Sequence, residues 1–502
     1  LPASAQTALD ERTETPEAAA PDGYQWGSFL VRPELGLSLL YDSNIYATRS
    51  GEVDDSITLL SPSVDMRSQW ERHKLNLSAG AAGARYHTTD TENYTDYWTD
   101  LEGRYDIGDR SNVFGGLGYS RDHEDRSSPD ETLVGDEPTT FTSERAHGGI
   151  AHSWGALSAR VGGTFESLDF RDVGPLNNDD RDRDLIGIGT RVSYRLNPRY
   201  VVFGQAIRDE RRYDLALDDN GFNRDSDGYR VAVGFTGIFS NRLNGSAYVG
   251  HLSQSYDETT FSDVSALDFN GRLTFRATPQ TTLAAALERT LEETTLAGAS
   301  GYLYSAASLQ AEHKISPRLR ATAGLSAGRA DYQGITREDD LYSAEAGLRY
   351  MLTPRVYLAA SYRVMTRDTN LREAVLNDAN LQDIDDYARQ QFFLTLGTLL
   401  YPVRDTGLAA LASRDALPLV PTDWRGFFLG GQIAHGSTGF HGEGLRGGSG
   451  SDQGEYAESG AGAGLFAGYG LSFDRWYLGI EAEADRTATD VYHRKDKYAL
   501  RG

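Results

Sequence analysis

Four turns of one kind, Asn197-Pro198-Arg199, Thr278-Pro279-Gln280, Ser316-Pro317-Arg318 and Thr353-Pro354-Arg355, punctuate the chain, and Ser240-Asn241-Arg242 stands where a fifth belongs. They recur about 40 residues apart, which leaves room between turns for a strand, a long polar loop and a second strand, the rhythm of membrane-spanning hairpins. Each strand has about twelve residues, and at about 3.4 Å per residue and a tilt near 45° it spans about 29 Å. That crosses the apolar band of a bilayer. The spacing therefore predicts an all-β fold, a transmembrane antiparallel β-barrel, with a partial second β segment beyond it.

Composition narrows the alternatives. The chain has 502 residues, longer than one ordinary soluble domain, and 73 acidic against 49 basic residues give a net charge of −24. Such a balance opposes binding to phosphate backbones, so nucleic acid is not expected as a partner. Cysteine is absent. Neither a disulfide framework nor a thiolate metal site is available, and stability has to come from the strand ladder. No apolar run reaches the roughly 18 residues of a membrane helix. Strands that alternate apolar and polar residues average to low hydropathy, so a barrel stays open as a solution. The 28 Tyr suit interfacial girdles and the 54 Gly suit bent, closely packed strands.

The alternation is legible strand by strand. Ile186, Ile188, Thr190, Val192 and Tyr194 share one face, while Gly187, Gly189, Arg191 and Ser193 share the other. Tyr229, Val231, Val233 and Phe235 likewise oppose Arg230 and Thr236; Leu267, Phe269, Leu273 and Phe275 oppose Asp268, Asn270 and Arg272; Val356, Leu358, Ala360 and Tyr362 oppose Ser361 and Arg363. A soluble sandwich would turn the apolar face into a core, and a membrane barrel turns it to lipid. Strand length decides for the barrel, because strands of globular proteins average about five or six residues.

About 18 strands fit between residues 28 and 401, an even number that lets the first and last pair antiparallel. Long connections are expected at 48–56, 87–93, 122–141, 169–183, 209–227, 254–265, 292–301, 329–340 and 366–386. Short ones fall at 69–73, 108–112 and 153–156, on the side of the amino-terminal tail, which is therefore the periplasmic side. Residues 1–27 read as a signal remnant with Ala3 and Ala5 at an A-x-A cleavage site, followed by a flexible tail. After the barrel at 28–401 come a Pro-marked linker at 402–422 and a β segment at 423–502.

Several segments carry a resemblance. Tyr41-Asp42-Ser43-Asn44-Ile45-Tyr46, Leu60-Ser61-Pro62, Glu92-Asn93-Tyr94-Thr95-Asp96-Tyr97 and His123-Glu124-Asp125-Arg126-Ser127-Ser128-Pro129 resemble the β-barrel porin type 2 family over about 28–401. That resemblance implies the outer membrane of a Gram-negative bacterium and a part in exopolysaccharide or capsule export. Trp424-Arg425-Gly426-Phe427-Phe428-Leu429, Gly462-Ala463-Gly464-Leu465-Phe466 and Trp476-Tyr477-Leu478-Gly479-Ile480 resemble the opening strands of a small OmpA-like outer-membrane barrel. Such barrels need about eight strands, so the chain is expected to stop before its gene does.

Signals of catalysis fail on context. Gly324-Leu325-Ser326-Ala327-Gly328 matches G-x-S-x-G but falls mid-strand, not on the sharp turn that exposes a nucleophile. Gly460-Ala461-Gly462-Ala463-Gly464 leads into no helix, so it is not read as a phosphate cradle. The ten histidines are scattered, and His147 and His152 are not at ligand spacing. No catalytic, cofactor-binding or metal residue is assigned, no cofactor is expected, and the chain is read as not an enzyme.

Inward-facing charge is the candidate site. The alternation turns Arg160, Glu166, Arg191, Arg230, Arg272, Glu288, Glu312, Glu345, Arg349 and Arg363 into the lumen, where they either line a path for ions or sugars or satisfy one another inside a plugged barrel. Acidic loops read mostly as solvated, with Asp179, Asp180, Asp218 and Asp219 as candidates for divalent cations that bridge lipopolysaccharide. The expected partners are outer-membrane lipid, lipopolysaccharide and polysaccharide; the oligomeric state is open. The leading function is a porin-like barrel for solute passage or polysaccharide export. A non-conducting structural or adhesive surface barrel is the alternative, and a barrel-embedded hydrolase ranks third.

Overall fold

The computed structural model describes residues 23–128, 137–370 and 386–401 and the backbone of three later strands. The signal remnant, the tip of the last long loop, Pro129 and the 402–422 linker lie outside the described residues. A short strand β1 (Tyr24–Trp26) leads into β2 (Phe29–Asp42), β3 (Asp55–Ser68), β4 (Lys74–Tyr86), β5 (Tyr94–Ile107) and β6 (Ser111–His123). The wall continues through β7 (Thr140–Trp154), β8 (Leu157–Phe170), β9 (Arg183–Asn197), β10 (Tyr200–Tyr213), β11 (Ser226–Ser240) and β12 (Leu243–Tyr256). It is completed by β13 (Val264–Thr278), β14 (Thr281–Glu292), β15 (Gly301–Ser316), β16 (Leu319–Gln333), β17 (Glu338–Met351), β18 (Val356–Thr369) and β19 (Tyr387–Leu399).

Each strand from β2 to β19 pairs antiparallel with the next, and β19 returns to β2 in register from Gln391 opposite Asp42 to Leu399 opposite Glu34. Eighteen strands thus close into a barrel, and closure leaves none of its ladder edges exposed to lipid. The tail expected up to residue 27 contributes one element, since β1 folds back on β2 with Tyr24 opposite Val31. Strands run from 12 to 16 residues, somewhat longer than the sequence predicts, because several extend past the bilayer into the long loops. The loop between β16 and β17 is accordingly only 334–337 and that between β10 and β11 only 214–225.

The recurrent turns have one construction. Asn197 Oδ1 accepts from the backbone N–H of Arg199 at 2.8 Å, and Thr278, Ser316 and Thr353 hydroxyls accept from the N–H two residues on at 3.1, 3.3 and 3.2 Å. Ser240 does the same to Arg242 at 3.2 Å, so the variant turn without proline is the same device. A side-chain oxygen that captures the i+2 N–H closes the reversal locally, and proline in between presets its φ.

The two faces separate by solvent contact. On β9, Ile186, Ile188, Val192 and Tyr194 are exposed on the outside, while Gly187, Gly189, Arg191 and Ser193 are buried inside. On β16, Leu325 is 59 % exposed and its neighbour Ser326 points inward to the Ser343 hydroxyl, so the G-x-S-x-G match is ordinary strand. Exposed rings gather at both rims, Tyr105, Trp154 and Tyr350 below and Tyr41, Tyr97 and Tyr229 above, as at the two interfaces of a membrane. Further along the chain, β20 (Arg425–Ser437), β21 (Ser459–Phe473) and β22 (Trp476–Thr487) form a separate three-stranded antiparallel sheet.

Candidate functional site: the lumen and its extracellular mouth

The ten charged residues selected from the alternation all stand on the inward side of the wall. Arg160, Glu166, Arg191, Arg230, Glu288, Glu312 and Arg363 are buried, and Arg272, Glu345 and Arg349 are partly so. Some meet a charged partner. Arg230 lies 3.6 Å from Asp268, Glu312 lies 3.2 Å from Arg320, and Glu345 faces Arg363 directly across the β17–β18 ladder. Glu166 faces Arg145 across the β7–β8 ladder and accepts from the Ser143 hydroxyl at 2.9 Å, and Arg349 stacks 3.9 Å from the Tyr357 ring centroid. Arg272 stands opposite Ser246 and Ala286, and Glu288 opposite Asn270. The ten are therefore spread over the height and circumference of the wall and do not converge on one point.

Convergence occurs at the extracellular mouth, on residues the sequence singled out only for resemblance. The loop after β6 folds over the inside of the wall, and its residues 124–128 are buried. Arg389, on the inner face of β19 and 1 % exposed, holds Asp42 of β2 at 2.7 Å with one side of its guanidinium and Asp125 of the loop at 3.0 Å with the other. Gln391 adds a bond to Asp42 at 2.8 Å. One arginine thus ties the seam where the barrel closes to the loop that enters it.

The same loop is fixed at other points. Arg126 binds Glu92 through two bonds of 2.7 and 3.0 Å, Arg181 from the β8–β9 loop binds Glu124 at 2.7 Å, and Arg367 on β18 donates to the Ser127 carbonyl at 3.1 Å. At the loop's root, His123 contacts Asp96 at 2.9 Å and stacks on Tyr94 with centroids 3.5 Å apart. Bidentate guanidinium–carboxylate contacts fix angle as well as distance, which is what holding a five-residue bridge inside a wide barrel needs. Three of the four segments that carry the family resemblance, around Asp42, Glu92 to Asp96 and His123 to Ser128, meet at this one place, while Leu60-Ser61-Pro62 lies mid-strand on β3. Arg389 and Arg367 had no signal of their own, since inward arginines also stud the rest of the wall.

The far side of the mouth is stitched in the same manner. Arg224 in the β10–β11 loop bonds Asp218 at 2.6 Å and reaches the Ala299 carbonyl at 3.0 Å, while Arg211 and Tyr213 both engage Glu293. Asp218, a candidate for divalent cations, is thus held by an arginine and by the N–H groups of Asn220 and Phe222. Among the described residues, no three of His, Asp and Glu stand together as a metal site requires.

No curated protein matches the chain. Among solved structures, Pseudomonas aeruginosa OccK1 (OpdK) aligns at 10% identity and TM-score 0.42, covering 74% of this chain and 99% of its own. Acinetobacter baumannii OccAB3 aligns at 13% identity and TM-score 0.40, with 74% and 99% covered. The family profile described as Putative beta-barrel porin 2 matches residues 17–382, which takes in the mouth loop and the wall from β2 to β18 and ends before β19. The chain, an outer-membrane porin-like barrel, belongs to that family.

Proposed function

We propose that this barrel is an open pore in the outer membrane of a Gram-negative bacterium, through which hydrophilic solutes pass, and that it acts as a channel and not as an enzyme. One observation carries the reading: a largely apolar outer face encloses an inner face that carries charge from Arg160 near the periplasmic rim to Arg363 and Arg389 toward the mouth. An inner wall whose only task was to fill space would favour apolar packing, because buried ion pairs add little net stability. The ten inward charges are the proposed lining of the path.

The bridge at 124–128 narrows the entrance and favours small solutes. Export of exopolysaccharide or capsule, the second reading, is supported by the family resemblance and requires this bridge to leave the mouth. On the outside, Arg208, Arg212 and Arg329 stand near the extracellular rim on the lipid-facing side, suited to the phosphates of lipopolysaccharide. The three strands from β20 to β22 are read as the start of a second, smaller barrel.

Purified protein in planar bilayers tests the proposal. Stepwise ohmic conductance supports a pore, and its block by polysaccharide fragments supports export. A folded barrel that never conducts would instead favour a structural or adhesive surface protein.

A further inference from the structure

We infer that the arginines of the short turns form a belt that holds the phosphate headgroups of anionic lipids in the leaflet on the periplasmic side; the inference goes beyond the pore reading and stands whether or not the barrel conducts. Eight short turns join strands at that end, and six carry an arginine: Arg72, Arg110, Arg199, Arg242, Arg318 and Arg355, all exposed. Two acids accompany them, Glu71 and Asp109, and Asp109 is bound by Arg72 of the neighbouring turn at 3.2 Å. The turns after β9, β11, β15 and β17 carry an arginine and no acid. In a chain with a net charge of −24 this is a reversal of sign, and the long connections at the other end run the opposite way, as in 214–225 with four aspartates and one arginine.

Turn chemistry does not call for these guanidiniums. The reversal uses the side-chain oxygen of one residue and the backbone N–H two places on, and Gln280 supplies that N–H in its turn as Arg199, Arg242, Arg318 and Arg355 do in theirs. Any residue except proline could donate it. The recurrence of arginine at this place therefore needs a reason outside the turn.

The residue three places earlier supplies that reason. Leu196, Phe239, Ile315 and Leu352 each precede a turn arginine by three positions, and each is exposed where the outer face of the wall ends. Ile107 stands in the same relation to Arg110. Where Gln280 takes the place of the arginine, the residue three before it is Ala277, so the large apolar side chain and the cation are lost together. An apolar side chain at the end of the lipid-facing surface sits at the edge of the hydrocarbon, and a guanidinium just beyond it lies at the depth of the lipid phosphates. A soluble polyanion would need the charge alone. Guanidinium forks match phosphate oxygens with paired donors, and basic residues next to an anionic leaflet bind it more tightly with each charge added.

The test uses the full chain, the variant R199Q/R242Q/R318Q/R355Q and the matching Lys set, with heat-modifiable migration on gels to confirm folding. Gln280 shows that the turn accepts glutamine at this place. Barrels in micelles doped with phosphatidylglycerol or phosphatidylcholine are released in a mass spectrometer and the retained lipids counted. Wild type is expected to favour phosphatidylglycerol about fivefold at each arginine site, the effect of one basic residue near an anionic surface, the Lys set to keep most of that preference, and the Gln set to lose it at the four sites. A277L/Q280R, which installs the pair of residues in the remaining turn of this kind, is expected to retain one more phosphatidylglycerol. No preference in the wild type, or a preference unchanged in the folded Gln set, overturns the belt. Wild type held on immobilised heparin, with the Gln set released and neither lipid favoured, overturns the lipid assignment and points to a soluble polyanion at the periplasmic opening. Conductance enters none of these readouts, so a barrel that never conducts refutes the pore and leaves the belt to be judged by lipid retention.

Discussion

Releasing the mouth bridge is the most direct perturbation of the pore, and the ion pairs that hold it set the size of the effect. Asp125→Asn removes the loop's charge from Arg389, which keeps Asp42 at 2.7 Å and so is not stranded. The loss is that of charge-assisted hydrogen bonds between groups almost wholly out of water, about 1.5–3 kcal/mol. Glu92→Gln takes away the carboxylate that Arg126 grips with two bonds, and removing one partner of a buried pair costs about 3–5 kcal/mol. If the loop exchanges between docked and undocked positions, Asp125→Asn shifts that ratio roughly ten- to a hundredfold, since about 1.4 kcal/mol is tenfold.

Single-channel recording reads the ratio as the dwell time in a high-conductance state. Wild type is expected to rest in the low state, Asp125→Asn to flicker, and Asp125→Asn/Glu92→Gln to occupy the high state for most of the trace. The two substitutions act on neighbouring residues of one short loop, so the second should add less than it does alone, and a double-mutant cycle should return a coupling of about 0.5–3 kcal/mol. Traces of the double variant that match wild type in amplitude and noise would refute the idea that this loop narrows the path.

Three further outcomes follow from the same structure. Leu325→Arg, on the lipid side at mid-strand, should cost about 2–4 kcal/mol and impair membrane insertion in a refolding assay, while Ser326→Arg on the inner face should insert normally. A side chain at Gly149 would overlap the Val161 carbonyl oxygen and stand 2.8 Å from the Gly162 Cα, so Gly149→Ala should lower the folded yield by about 1–3 kcal/mol of overpacking, whereas Gly163→Ala, whose nearest neighbour is at 3.5 Å, should be silent on gels. Burial pushes the Asp182 carboxyl up to about 6, with repulsion from Asp169, Asp179 and Asp214 adding to it and the Phe170 N–H opposing it. The folded loop therefore binds its proton more tightly than the unfolded chain, a stabilisation present below about pH 4 and lost as pH rises through about 6, so hydrogen exchange in 171–182 should slow on acidification and Asp182→Asn should flatten that response.

The wall and the mouth differ in how far a sequence can announce them, and the reason is physical. A strand repeats every two residues, so Ile186 and Ile188 predict each other's side, and a lapse such as an arginine facing lipid is costly enough to be rare. Turn residues act through their own neighbours, as Thr278 does on Gln280, and so they read out locally. The 18-strand count, the closure and the sidedness of the loops follow from those two local rules alone. The mouth obeys neither. Asp42 and Arg389 are 347 residues apart and meet because β19 closes on β2, and Asp125 reaches the same guanidinium through a loop with no period. Pairs of this kind exist only after the ring is shut, so their partners are invisible until closure is known. Their one trace in the sequence is a cluster of polar residues at strand ends where solvation would serve equally well, around Asp42, Glu92 and His123. Many alternating sequences build an apolar outer face, but few place three carboxylates where two arginines can bind them inside a barrel mouth.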